Sequence, residues 1–353
     1  MDVISRLQPH TVRIYGLQDR QFTLERVPAK SLLSGLKFDL FAKLYYIAHR
    51  REDPEGALKL YLEHIKVFNP DGKEPGRDDK TSFEAFVKAF DSLIEDMKTK
   101  GFDENLSVIP LDRDGISLDG SHRLSAAAFF DKEVTVARFP DVSRKCDFDY
   151  AYFLSRGLHR STADTIMQEM LRWKDNIYVA CLWPRISGRQ KETARKLFSG
   201  FAQICYVKTE RINLKSLSSF VGLIYKAQDW TKSKAAVMDK ATNCYGPSRT
   251  VEFVFFSTNL PLEGILGKKE EFRNIFHDGK HSLHITDNIA ETRQIAGLLF
   301  EPLQRKTWDT SFNTWGKARN YLSEQAYLFR HVRWLNFKVF VAGQLGRIKR
   351  LVK

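Results

Sequence analysis

Residues 107–138 read "SVIPLDRDGISLDGSHRLSAAAFFDKEVTVAR". The short runs "SVIPLD" and "GISLDG" are patterned as strands, "SHRLSAAAFF" as a helix, and "EVTVARF" returns to β-branched residues. Strand, turn, helix and strand in such a short span predict a compact unit and decide the fold class. The chain is expected to be α/β, opening with an α+β domain.

The junction Asp119–Arg123, "DGSHR", is the most informative point in that unit. Gly120 is expected to make the tight turn and Ser121 to stand at or near the N-cap, with His122 and Arg123 in the first helical turn. Free backbone N–H groups and the positive end of the helix dipole make such a place an anion site. Arg123 can add a bidentate fork to a phosphate, and His122 can donate a hydrogen bond or move a proton near neutral pH. Asp119, at the carboxyl end of a strand, is a candidate Mg²⁺ ligand or an orienter of His122. The alternative is a plain capped helix beside a surface Asp119–Arg123 ion pair.

Upstream, "FDLFAKLYYIAHRREDPEGALKLYLEHIKVF" (38–68) has apolar residues at helical spacing on both sides of "REDPEG", so two helices are expected, broken at Pro54 and Gly56. The polar loop "NPDGKEPGRDDK" follows, and then a helix whose start reads as a capping box, Thr81 with Glu84. Loops of this kind close over sites, which makes Glu74 a candidate for acid/base work and Lys80 for phosphate contact. An ordinary solvated loop is the alternative.

Downstream, residues 148–176 read as helical. From Ile177 strands alternate with helices: "IYVACLWP", "AQICYVKTERI", "RTVEFVFFST" and "HSLHIT" are separated by "RQKETARKLFSGF", "LKSLSSFVGLIYKAQDW" and "KKEEFRNIF". Such alternation predicts a mostly parallel sheet covered on both faces. The expected domains are 1–146, a helical connector 147–176, a second α/β domain 177–325 and a basic tail 326–353. In "GKHSLHITDNIAET" a strand places His281 and His284 on opposite faces, against a shared metal ion. Asn288 with Glu291 resembles a capping box, and Lys280, His284 and Asp287 are candidates to line a pocket for an anionic substrate. Structural histidines are the alternative.

Over 353 residues, 56 Lys+Arg against 43 Asp+Glu give a formal charge of +13, which points to an acidic partner: nucleic acid, an anionic membrane or a phosphorylated ligand. The four cysteines, Cys146, Cys181, Cys205 and Cys244, form no CxxC pair and read as buried thiols. No stretch resembles a signal peptide or a membrane span, so a cytoplasmic protein is expected. The tail "RHVRWLNFKVFVAGQLGRIKRLVK" (330–353) interleaves Trp334, Phe337 and Phe340 with seven Lys and Arg and no acid. That composition suits a C-terminal helix lying on the anionic inner face of the cytoplasmic membrane. A docked terminal helix and a nucleic-acid contact are the alternatives.

"IPLDRDGISLDGSHRLSAAAFFDKEVTV" resembles the ParB N-terminal/sulfiredoxin-like superfamily. There a strand ending in Asp-Gly is followed by x-His-Arg or x-Arg-Arg at a helix start, and the turn binds nucleotide phosphates. Sulfiredoxins carry a cysteine where this chain has Ser121. Chromosome-partition members have a second arginine where His122 stands, then a helix-turn-helix region; an α/β pattern follows here, which disfavours nucleic acid as partner. The free-serine-kinase branch carries D-G-x-H-R and phosphorylates a hydroxyl. That resemblance implies a kinase using ATP or another nucleoside phosphate with Mg²⁺. Asp119 would be its catalytic or metal-contacting acid, and Gly120, Ser121, His122 and Arg123 its phosphate-binding turn. The early "FDLFAKLYYIAHR", DGSHR and the basic tail together also look like proteins of bacterial surface-polysaccharide gene clusters, implying a sugar or lipid-linked glycan acceptor. Two other functions stay open: a glycosyl- or phosphoribosyl-transferase with its site in the second domain, and a ParB-type nucleotide-dependent DNA-binding protein.

Overall fold

A computed structural model describes residues 3–77 and 79–310. The chain divides between residues 175 and 176 into two compact units.

The first unit runs α1 (Pro9–Tyr15), β1 (Thr23–Pro28), α2 (Phe38–His49), α3 (Pro54–Phe68), α4 (Phe83–Thr99), β2 (Ile109–Leu111), α5 (Ser121–Phe129), β3 (Glu133–Arg138), α6 (Tyr150–Ser155) and α7 (Arg160–Trp173). Its sheet has the order β1-β3-β2, with β1 antiparallel to β3 and β2 parallel to β3 across the α5 crossover. The break at "REDPEG" follows local chemistry. Pro54 takes the first helical position of α3, and the Asp53 carboxylate accepts the Gly56 N–H at 3.0 Å. A Cβ at Gly56 would lie 2.0 Å from that carboxylate.

Three expectations for this unit are corrected. The cap of α4 is Ser82 rather than Thr81: Ser82 is extended and its side chain accepts the Ala85 N–H at 3.2 Å. "GISLDG" is not a strand, since one bridge, Leu111 to Ser117, is all that ties it to β2. The cause is Asp112, fully buried, whose Oδ1 accepts the N–H groups of Asp114 and Ile116 at 2.9 and 2.8 Å and so curls the chain into a turn. Finally, residues 147–175 belong to the first unit, because α7 buries Ile166, Met167 and Met170 and packs on α2.

The second unit runs β4 (Ile177–Leu182), α8 (Gly188–Ser199), β5 (Gln203–Arg211), α9 (Leu214–Ile224), α10 (Lys234–Cys244), β6 (Thr250–Ser257), α11 (Leu262–Phe276), β7 (Leu283–Ile285), α12 (Ile289–Phe300) and α13 (Pro302–Trp308). Its sheet is not parallel. The order is β5-β6-β4-β7 and every neighbouring pair is antiparallel. Each helical crossover does return the chain in the same direction, β4 to β5 through α8 and β6 to β7 through α11. The two crossovers interleave, however, so β6 fills the gap inside the first and β4 the gap inside the second. This is the split β-α-β, ferredoxin-like strand order, with α9 and α10 inserted between its second and third strands. Ala180, Leu182, Val254, Phe256, Leu283 and Ile285 meet α8 and α11 on one face. On the other, Phe253 and Phe255 meet Phe220 of α9 and Phe300 of α12.

Among the described residues no helix is long and apolar enough to cross a membrane. Cys181, Cys205 and Cys244 are buried thiols, whereas Cys146 is exposed. The tail 326–353, with the C-terminal helix expected there, lies outside the described residues.

Candidate functional site

The DGSHR junction is built from below by the Asp112 turn, which delivers Leu118 back onto β2 through its N–H to the Pro110 carbonyl (2.9 Å). Gly120 is then the N-cap of α5, in the left-handed region at φ 82°, and Ser121 is the first helical residue rather than the cap. A Cβ at Gly120 would lie 2.5 Å from the Ile109 side chain and 3.2 Å from Arg123 Nη2. Gly120→Ala is therefore expected to cost about 1–2 kcal/mol in backbone strain, with a further clash against β2, read as a lowered urea midpoint. An unchanged midpoint would contradict the left-handed turn.

A cavity of about 270 Å³ opens beside this junction. Asp119, Ser121 and His122 line it from the turn, Glu74 from the polar loop, and Lys37, Asp39 and Lys43 from the start of α2. The structure thus brings Glu74 together with Asp119, Ser121 and His122, which lie more than forty positions further along the chain. Lys80 is close by: buried, with Nζ 2.6 Å from Glu74 Oε2 and over the Phe86 ring. Arg123 is not among the lining residues. Its Nη2 stands 3.5 Å from Asp119 Oδ2, both side chains about one-quarter exposed, so the ion pair foreseen as the alternative reading is present and loose.

His122 is held neutral. Burial, then the charges of Lys80 and Lys43, push its pKa well below the ordinary histidine value. Its Nε2 lies 2.9 Å from the Tyr61 hydroxyl. Burial raises the Tyr61 pKa well above the phenol range, so Tyr61 keeps its proton and donates it to Nε2. That assigns the His122 proton to Nδ1, which makes no hydrogen bond among the described residues. At neutral pH His122 is accordingly a neutral donor and not a cation.

Behind the turn lies a buried polar chain that the sequence reading did not include. Lys43 Nζ donates to Asp39 Oδ2 (2.9 Å) and to His64 Nε2 (3.2 Å), and His64 Nδ1 donates to the Tyr61 carbonyl (2.9 Å). Burial alone would raise the Asp39 pKa, but Lys37, Lys43 and the Ser121 hydroxyl hold it well below the usual carboxylate range. The place of Asp39 in the first turn of α2 acts in the same direction through the helix dipole. Burial, then Lys43, lowers the His64 pKa to about 3. The signal was in "KFDLFAKLYYIA": with Phe, Leu, Ala, Tyr and Ile on every side of the helix, Asp39 and Lys43 have no solvent-facing stripe to occupy.

The second constellation does not converge. His284 is buried, bonded to Glu291 (2.9 Å) and set edge-on to Tyr225. Asp287 pairs with Lys269 (2.9 Å), and the backbone carbonyl of Lys280 accepts from Lys240 (2.6 Å). Asn288 caps α12 as expected, accepting the Glu291 N–H (2.9 Å), but the Glu291 carboxylate returns to the Asp287 N–H, one residue earlier than a capping box requires. His284 and Asp287 thus tie the β7 end to α12 and α11.

Among the described residues there is no group of three or more His, Cys, Asp or Glu placed to hold a metal ion. Asp119 and Glu74 both line the cavity, and Glu74 is ion-paired with Lys80 at 2.6 Å.

Compared with protein-family models, with curated proteins and with solved structures, the chain matches none.

Proposed function

We propose that the first unit is a phosphotransferase that moves the terminal phosphoryl group of a nucleoside triphosphate to a hydroxyl. The observation that carries this reading is the convergence of the glycine turn, the Glu74 loop and two buried lysines on one cavity. The N–H groups at the start of α5 and the Nδ1 proton of His122 are donors for phosphate oxygens, while Lys37 and Lys43, both buried and lining the cavity, contribute positive charge. Asp119 and Glu74 would hold magnesium, which would supply charge neutralisation. In the transfer the hydroxyl oxygen bonds the γ-phosphorus, the β–γ bridging bond breaks, the diphosphate leaves, and the hydroxyl proton passes to a cavity carboxylate.

The resemblance to polysaccharide-cluster proteins supports a sugar or lipid-linked glycan acceptor. The basic aromatic composition of 330–353 supports attachment to the inner face of the membrane, where such acceptors reside. The test is a thermal-shift titration of the full chain with ATP, ADP, GTP and CTP, with and without Mg²⁺. One of them is expected to raise the apparent stability, by about 2.7 kcal/mol at a hundredfold excess over Kd, and Arg123→Ala with His122→Asn to abolish the rise. No shift with any nucleotide at millimolar concentration would sink the reading.

A further inference from the structure

We propose that Lys37 and Asp39 form a hydroxyl-binding subsite in this cavity, fitted to a neutral polyol rather than to a second anion. Both side chains line the cavity and both are at least nine-tenths buried. Their polar atoms are incompletely used. Lys37 Nζ sits 4.5 Å from the Phe148 ring centroid and 3.7 Å from Asp39 Oδ1, and it makes no hydrogen bond among the described residues. Asp39 gives its other oxygen to Lys43, and Oδ1 is buried without a hydrogen bond. Three ammonium protons and a carboxylate oxygen so placed are costly to leave unmet in a protein interior.

The chemistry of the pair selects its occupant. Lys43, the other lysine of the cavity, is already committed to Asp39 and His64. What remains is one donor and one acceptor that face each other at 3.7 Å, an ion pair too long for a direct hydrogen bond. A phosphate brings one to two negative charges against the Asp39 carboxylate and would be repelled by it. A hydroxyl is donor and acceptor at once: its oxygen can lie about 2.8 Å from both Nζ and Oδ1, accepting from the lysine and donating to the carboxylate. A vicinal diol does the same with two oxygens. Ser121, on the same cavity wall and beside Asp39, ties the subsite to the α5 turn. The pair therefore places a substrate hydroxyl next to the phosphate-handling residues, which deepens the phosphotransferase reading and rests on it only for that last step.

The diol has two sources, a free polyol acceptor or the ribose of the nucleotide, and the experiment separates them. The full-length protein is titrated by calorimetry with glycerol, myo-inositol and D-glucose as neutral probes, L-alanine as a zwitterion without a hydroxyl, and inorganic phosphate as the anion. At least one polyol is expected to bind saturably, and Lys37→Met to weaken it by about tenfold or more; circular dichroism of the variant checks that it is folded. Separately, ATP is compared with 2′,3′-dideoxy-ATP. A loss of affinity in the dideoxy form that disappears in Lys37→Met assigns the subsite to the ribose, and equal binding of the two assigns it to a separate polyol. Absence of all nucleotide binding refutes the phosphotransferase reading and leaves the polyol titrations to judge the subsite. The proposal is overturned if no polyol and no ribose contact depends on Lys37, or if phosphate or L-alanine is what Lys37→Met loses.

Discussion

Replacing Asp39 by alanine is expected to lower the unfolding free energy of the first unit by about 3–5 kcal/mol, the range for removing one partner of a buried ion pair. Asp39 and Lys43 are 1% and 2% exposed, and Lys37 is 4% exposed. Without the carboxylate, two ammonium groups would stay in the interior with no counter-charge, and desolvation would dominate. The double variant Asp39→Ala, Lys43→Met removes the charge along with its partner and is expected to be milder than the single one. Denaturant unfolding of the three proteins, read from probes in α2 and α3, gives the comparison. A single variant no less stable than the double would show that the pair is not desolvated.

Acid is expected to destabilise the first unit well before its carboxylates titrate. The folded-state pKa of His64 is lowered to about 3 by burial and by Lys43. In the unfolded chain the same imidazole takes a proton as pH falls through about 6.5. Between those values the unfolded state binds more protons than the folded one, so stability is complete above about 6.5 and is lost as pH falls, at up to about 1.4 kcal/mol per unit. From pH 6.5 to 5 that is about 2 kcal/mol for His64, which is fully buried. His122, lowered for the same reasons, adds to it with the same sign. Asp39, whose pKa is depressed, contributes its own loss only below the ordinary carboxylate range. Hydrogen exchange of α3 in the full chain at pH 7, 6 and 5 measures the effect, and His64→Gln is expected to flatten it. Equal protection at pH 7 and 5 would mean that His64 is hydrated.

Features governed by near neighbours in the chain were legible. The α2/α3 break follows from Pro54, Gly56 and a capping aspartate, and the turn into α5 from a glycine that must reach positive φ. His281 and His284 were expected on one strand, but β7 begins only at Leu283 and His281 ends a 3-10 turn before it, so strand alternation does not govern the pair. Near-neighbour chemistry also misled where two residues competed for one role, as Thr81 with Ser82 did at the start of α4. The edge strand β1 was passed over because its exposed positions and terminal proline carry little apolar signal.

What lay beyond the sequence depends on groups that meet only in the folded chain. Alternating strands and helices set the direction in which each crossover returns, and this is why β4 and β5, like β6 and β7, run alike. They do not set which strand fills the space between, and packing made the sheet antiparallel. The turn at Asp119–Arg123 was visible because glycine, a helix start and an anion-binding set are local. Its partners were not: Asp39 and Lys43 become a desolvated pair beside the turn only when α3, α5 and α7 close around α2 and remove the water. Burial turns that pair from a weak surface contact into a strong constraint on stability, and it brings Lys37 and Asp39 to the cavity beside Ser121 and His122.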